Sequence, residues 1–201
     1  MLRGCRGLLA LAALTAIGYD VAAGAGVSDA DYFSYFTVLS NLFAAAMLLH
    51  GALRPAQERS RPVELLRGAA VVYILTTGIV YLLLLSGHAP TYPWVNAILH
   101  YLMPAAVTLD WLLEPPRVHL DHSRTIVLWM AFPLLYILYT LARGAIVNWY
   151  PYFFVNPRRG GGYLLVAGDS LAVGIGIVAL ITATTWAGNR RRRSRPQWID
   201  R

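Results

Sequence analysis

Six apolar blocks, each long enough to cross a bilayer and each nearly free of charge, constrain this chain more than any other feature. A helix crossing about 30 Å of hydrocarbon needs about 20 mostly apolar residues. Windows of that size fall at 7–25, 33–53, 64–86, 95–113, 124–144 and 163–187. Only 13% of the 201 residues are charged, against roughly 25% in a soluble domain, and no single globular core needs so many apolar runs. Backbone groups in lipid must bond within their own segment, and none of the blocks alternates polar with apolar residues as barrel strands do. The expected fold is therefore all-α: a polytopic integral membrane bundle of six transmembrane helices spanning 1–187, followed by a basic tail at 188–201.

The seventeen basic residues are all arginine and give a formal net charge of +7. In a soluble protein that balance raises the question of nucleic acid, but here the arginines sit between or beyond the apolar blocks. They are expected to orient the chain and touch lipid headgroups, with no nucleic-acid partner. Arg3 and Arg6 precede the first block, and Arg54, Arg59, Arg61 and Arg67 lie between the second and third. Arg117 and Arg124 lie between the fourth and fifth, and Arg190, Arg191, Arg192, Arg193 and Arg195 follow the sixth. The alternate connections at 26–32 and 87–94 carry none; only Arg158 and Arg159 run against the pattern. By the positive-inside rule both termini are cytoplasmic, which in a bacterial cell means the inner membrane. The first block, with the small-residue run Ala22, Ala23, Gly24 and Ala25, also fits a signal peptide, but its apolar window is longer than the usual one. The single cysteine, Cys5, excludes an internal disulfide or a paired-cysteine site.

Ionisable groups within a span cost a few kcal/mol unless they face the bundle interior, so they are the residues to weigh for function. Counted from the outer ends of their spans, Thr37, His100 and Asp169 lie at depths of about 6 to 9 Å at the helical rise per residue. Asn41 follows Thr37 one turn later on the same face, and Arg143 closes the outer end of the fifth span. A hydroxyl, an imidazole, a carboxylate and hydrogen-bond donors in one apolar layer are the components of acyl transfer. In this reading Thr37 is the nucleophile and His100 its general base. Asp169 orients the imidazole, and Asn41 or Arg143 stabilises an oxyanion. Each also has a plainer role: Thr37 and Asn41 as helix-packing groups, His100 as a satisfied core histidine, Asp169 with Arg143 as an ion pair.

Pro104 lacks the N–H that would bond the carbonyl of residue 100, so the fourth span should be distorted beside His100. Asp110 lies some 15 Å below that layer and reads as interfacial, paired with Arg117 or Arg124. His119, His122 and Asp121 read as a solvated loop rather than a metal site, Ser170, Gly174 and Gly176 as close helix packing, and Trp94, Trp149, Tyr150 and Tyr152 as an aromatic belt. No cofactor or metal is implied.

Three segments, YFTVLSNLF at 35–43, NAILHYLMPAAVTLDWLL at 96–113 and NWYPYFFVNP at 148–157, together resemble the androgen-induced and androgen-dependent six-span membrane proteins and their bacterial relatives. The resemblance covers roughly residues 10–187. Animal members of that family are intramembrane threonine hydrolases of fatty acid esters of hydroxy fatty acids. The resemblance implies that Thr37 is the family threonine and that His100, with Pro104 and Asp110 after it, is the family histidine. The family's aromatic-Tyr-Pro-aromatic segment matches Trp149, Tyr150, Pro151 and Tyr152. This chain has one histidine in the fourth-span motif and a far more basic tail, so a broader lipid ester is the expected substrate. Membrane lipids are the other expected partner. Two other classes remain: a small-molecule or proton transporter using His100, Asp169 and Arg143, and a non-enzymatic scaffold or regulator.

Overall fold

A computed structural model describes residues 1–24, 26–87 and 92–193. Its elements are α1 (Leu2–Ala22), α2 (Asp29–Tyr32), α3 (Phe36–Leu53), α4 (Arg61–Val80), α5 (Pro93–Ala97), α6 (Met103–Leu113), α7 (His122–Val147) and α8 (Gly162–Arg193). Two π-helical stretches, Tyr81–Leu85 and Ile98–Leu102, continue α4 and join α5 to α6. Among the described residues there is no strand. Among the same described residues, five helical runs are long and apolar enough to cross a membrane: Leu2–Ala22, Phe36–Leu53, Arg61–Leu85, His122–Val147 and Gly162–Arg193. The block expected at 95–113 runs without a break from Pro93 to Leu113, which is long enough, but with Asn96, His100 and Asp110 in it the run is not apolar enough to be counted with the others.

Local chemistry explains several of the ends. Ser28 caps α2 by accepting the Asp31 N–H at 3.2 Å, and Asp121 caps α7 by accepting that of Arg124 at 2.8 Å. Asn148 closes α7 in the left-handed region, at φ 59°, which asparagine tolerates better than most residues. The expected second span begins late: Ser28 to Tyr35 form the short α2 and a turn, so α3 starts only at Phe36. The last helix runs past 187 to Arg193, so part of the expected tail is helical; 194–201 lie outside the described residues, as does 88–91 in the arginine-free connection. Ala25, in the small-residue run weighed as a cleavage site, is outside them too.

Helix α4 is the hub, packed against α3, α6, α7 and α8, while α1 lies along α3. Small residues set its crossings. A Cβ on Gly68 would stand 2.4 Å from the Trp129 ring of α7, and one on Gly78 would stand 3.0 Å from the Pro104 ring and 3.3 Å from the His100 carbonyl. The second of these lets the fourth apolar block lie close against α4 at the level of His100.

Towards the other end of these helices lies a buried charge cluster that corrects the reading of Asp110 and of three arginines. Asp110 pairs with Arg6 Nε at 2.6 Å and Arg67 Nη2 at 3.1 Å, not with Arg117 or Arg124. Arg67 also holds the fully buried Glu64 at 2.8 Å, and Glu114 takes Arg59 at 2.7 Å and Arg6 as well. Burial pushes the Glu114 carboxyl up, but the hydrogen bonds from Arg6 and Arg59 outweigh it and leave it below the ordinary carboxylate range. Arg6, Arg59 and Arg67 thus neutralise buried carboxylates instead of reaching for lipid headgroups.

Candidate active site

Because α3 begins at Phe36, Thr37 is its second residue and its N–H has no partner within the helix. Tyr35, at the N-cap, supplies no side-chain bond. Two tyrosines from further along the chain do this instead. The Phe36 N–H donates to the Tyr136 hydroxyl at 3.2 Å, and the Thr37 N–H to the Tyr152 hydroxyl at 3.3 Å. The Thr37 side chain therefore sits at a helix N-terminus, where the backbone dipoles favour negative charge.

Across from it, the π stretch Ile98–Leu102 presents His100. The Thr37 Oγ1 and His100 Nε2 atoms are 3.3 Å apart, within hydrogen-bond reach. The distortion expected from Pro104 takes the form of this π turn, which ends immediately before Met103 and Pro104. Asn41 couples the two elements: its amide donates to the Thr37 carbonyl at 2.9 Å and to the Leu99 carbonyl at 3.2 Å. Ser40, beside it, donates to the Thr37 carbonyl at 3.1 Å and meets Thr77 of α4 at 2.7 Å.

The structure joins Thr37, His100 and Asn41 and separates them from the other two predicted residues. Asp169 pairs with Arg159, not with His100. Arg143 pairs with Asp31 at 2.7 Å and lies over the Trp149 ring, so the Asp169–Arg143 pair is not formed and the guanidinium is engaged away from Thr37. Asn41 is in the right layer, but both of its N–H groups are committed to backbone carbonyls. That makes it a clamp between helices and leaves no donor for an oxyanion. Depth alone brought these side chains to one level; it carries no information about which way around the helix each one points.

Tyr152 is the residue the sequence reading missed. Assigned there to an interfacial belt, it is instead 9% exposed, with its hydroxyl 3.4 Å from Thr37 Oγ1. Its ring stacks on Phe154 at 5.1 Å and meets Tyr35 edge-on at 5.5 Å. Tyr150, two residues earlier, packs so tightly over Gly144 that a Cβ there would stand 2.1 Å from its ring, which ties this loop to α7. Burial pushes the Tyr152 phenol up to about 12, so at neutral pH it keeps its proton and can donate it. The available signal was the placement of Pro151 and Tyr152 in an aromatic loop long enough to fold back onto the bundle.

Thr37 and Tyr152 both line a cavity of about 560 Å³ between α4, α7 and α8. Its other walls are almost entirely apolar, among them Met130, Ile137, Val173 and Ile177. Leu134, Leu171 and Ile175 also line it and are 54%, 66% and 63% exposed, so it opens sideways between α7 and α8. No protein-family model, curated protein or solved structure matches this chain.

Proposed function

We propose that this chain is an intramembrane hydrolase of fatty acyl esters, similar in activity to the fatty acid ester of hydroxy fatty acid hydrolases that its motifs resemble. The observation that carries this reading is the 3.3 Å approach of Thr37 Oγ1 to His100 Nε2 at the wall of an apolar cavity open to the side. The acyl chain of a membrane ester enters that cavity laterally, and its carbonyl stops at Thr37. Pockets of this size ordinarily bury most of a ligand, with a few polar groups to orient it.

Thr37 Oγ1 attacks the acyl carbon and its proton passes to His100 Nε2. The negative charge that develops on the carbonyl oxygen meets the Tyr152 hydroxyl and the N-terminal end of α3. The ester C–O bond then breaks, and His100 returns the proton to the departing alkoxide, leaving an acyl-threonine. Water completes the cycle: it gives a proton to His100, its oxygen adds to the acyl carbon, and the acyl–Oγ bond breaks. His100 finally reprotonates Thr37, and the fatty acid leaves.

Counting the continuous run from Pro93 to Leu113 as a span gives six, and the arginine distribution then places both termini in the cytoplasm. The site falls in the outer half of what we take to be a bacterial inner membrane. The test is labelling of the purified protein by a lipid-like fluorophosphonate, with turnover of fatty acyl esters in detergent. Both are expected to vanish in Thr37→Ala and His100→Ala variants that still elute as folded protein. Undiminished labelling and turnover in both would overturn the reading. The transporter reading drew on His100, Asp169 and Arg143 acting together; the last two are held by Arg159 and Asp31, so a shared pathway has less behind it. Flux in proteoliposomes that survives Thr37→Ala would favour it.

A further inference from the structure

A base that takes a proton inside an apolar bundle becomes an imidazolium, and that cation needs a compensating group. A triad supplies a carboxylate. Among the described residues, the carboxylates nearest the helix core are engaged elsewhere: Asp169 with Arg159, Asp31 with Arg143, and Glu64, Asp110 and Glu114 with the buried arginines. Asp20, near the end of α1, is turned to Tyr32.

The groups that do face His100 are few. From α3 comes Thr37, with the Tyr152 hydroxyl of the loop between α7 and α8 behind it. The backbone of Asn96, one turn earlier, interacts with the ring, although Nδ1 itself is buried without a hydrogen bond of good geometry. From α1, Ala16 and Ile17 join Leu99 and Val38 in an apolar cluster, and that helix's Arg6 is occupied by Asp110 and Glu114. From the end of α4 comes Tyr81, whose ring lies over the imidazole with centroids 4.1 Å apart and planes inclined by only 27°.

Tyr81 is held in that position. It is 8% exposed, its hydroxyl accepts a hydrogen bond from Asn96 Nδ2 at 2.9 Å, and Tyr101 meets its ring edge-on at 5.7 Å. It opens the π stretch that follows α4, and His100 lies in the middle of the other one. Both rings are thus carried on π turns, and Gly78 allows the two helices to approach.

Resting on the hydrolase reading, we propose that Tyr81 is the positioning residue of the base: its ring face fixes the imidazole and stabilises the imidazolium formed when Thr37 gives up its proton, in place of a triad carboxylate. A cation over an aromatic face within about 6 Å is attracted by the ring's charge distribution, more strongly where water is excluded.

The experiment compares Tyr81→Leu, which keeps an apolar group of adequate size but removes the ring, with Tyr81→Phe, which keeps the ring and loses only the Asn96 bond. Hydrolysis by Tyr81→Leu is expected to fall about tenfold in kcat with KM unchanged, and its acid limb to move about one pH unit lower; Tyr81→Phe stays within about threefold of wild type. Nitrogen-15 spectra of labelled histidine, with His100→Gln identifying the signal, read the same shift of the His100 titration without any turnover. An identical His100 titration in wild type, Tyr81→Leu and Tyr81→Phe overturns the proposal and leaves Thr37 and His100 untouched. Turnover that does not depend on Thr37 overturns the parent reading first. Should Tyr81→Leu fail to fold, Tyr81→Phe and Asn96→Ala carry the test: a base that depends on the hydroxyl rather than the ring loses activity in both.

Discussion

This molecule buries polar groups in two layers, and they are built on opposite principles. The layer around Asp110 is made of charges, Arg6, Arg59 and Arg67 against Glu64, Asp110 and Glu114, and the void beside Arg67 and Asp110 measures only about 10 Å³. The layer around Thr37 is made of neutral hydroxyls, an amide and an imidazole, beside a cavity of about 560 Å³. Charges in a low-dielectric interior must be balanced, and the first layer sets three arginines against three carboxylates with almost no empty space for a ligand, although Arg59 Nε and Nη1 and Glu64 Oε1 make no hydrogen bond. Neutral groups tolerate incomplete pairing at lower cost, so the second can keep a hydroxyl, a ring nitrogen and a phenol proton available for a substrate. Buried charge marks what holds this fold together, and buried neutral polarity beside empty space marks where chemistry fits.

The sharpest way to break that contrast is to remove one member of each layer. Arg67→Met leaves Glu64 and Asp110 short of a partner and is expected to cost about 3–5 kcal/mol of stability, the range for stranding a buried charge. Thr37→Val keeps the shape of the side chain and should change stability by no more than about 1 kcal/mol, the net contribution of one hydrogen bond. Thermal unfolding in detergent, with both variants side by side, measures the difference. Equal losses would mean that the two layers are structural alike.

Next in size is Tyr152→Phe, which removes the phenol proton but keeps the ring against Phe154 and Tyr35. If that proton meets the developing oxyanion, kcat should fall by roughly 10² to 10³, or about 2.7–4 kcal/mol, with little change in KM. The steady-state constants for an acyl ester decide it, since a fall confined to KM would make Tyr152 a binding group only.

Sequence periodicity and charge made the apolar helices legible, because lipid forces every backbone group in a span to bond within its own segment. Thr37, Asn41 and His100 were legible as a group because their depths could be counted along straight helices. Asp169 and Arg143 were not, since depth leaves rotation about the helix axis undetermined and each had a nearer partner across a loop, in Arg159 and Asp31. Tyr152 was hidden for a related reason: a tyrosine near a span end looks the same in sequence whether it faces the membrane interface or folds inward. The π turns at Tyr81–Leu85 and Ile98–Leu102 answer to tertiary packing around Pro104 and Gly78, which span patterning does not carry.

The cavity gives a smaller and more selective prediction. Gly174 lines it, and a Cβ added there meets no atom within 4 Å. Gly174→Leu should therefore fill the cavity without straining α8, and a better helix former should leave stability intact or slightly raised. Discrimination between esters should change: a long acyl chain loses about 1–3 kcal/mol in kcat/KM relative to a short one, the scale of a methylene mismatch in an apolar pocket. Competition between two chain lengths reads this directly, and a uniform loss for both would place the acyl chain elsewhere.

The smallest expected effect lies at the rim of the outer layer, where Asp31 and Arg143 form a partly exposed ion pair at 2.7 Å. Hydrogen bonds from Arg143 and Ser28 hold the Asp31 carboxyl below the ordinary carboxylate range. A depressed pKa in the folded state means that the stabilisation is complete above the ordinary value, near 4, and is lost as the pH falls through the lower folded value. Asp31→Asn should remove about 0.2–1 kcal/mol at neutral pH, as surface pairs do, together with that part of the acid dependence. Arg143→Gln should behave in the same way and leave kcat within about threefold. A loss in Arg143→Gln as deep as that in Tyr152→Phe would return the guanidinium to the oxyanion, and the outer layer would no longer be a site built from neutral groups.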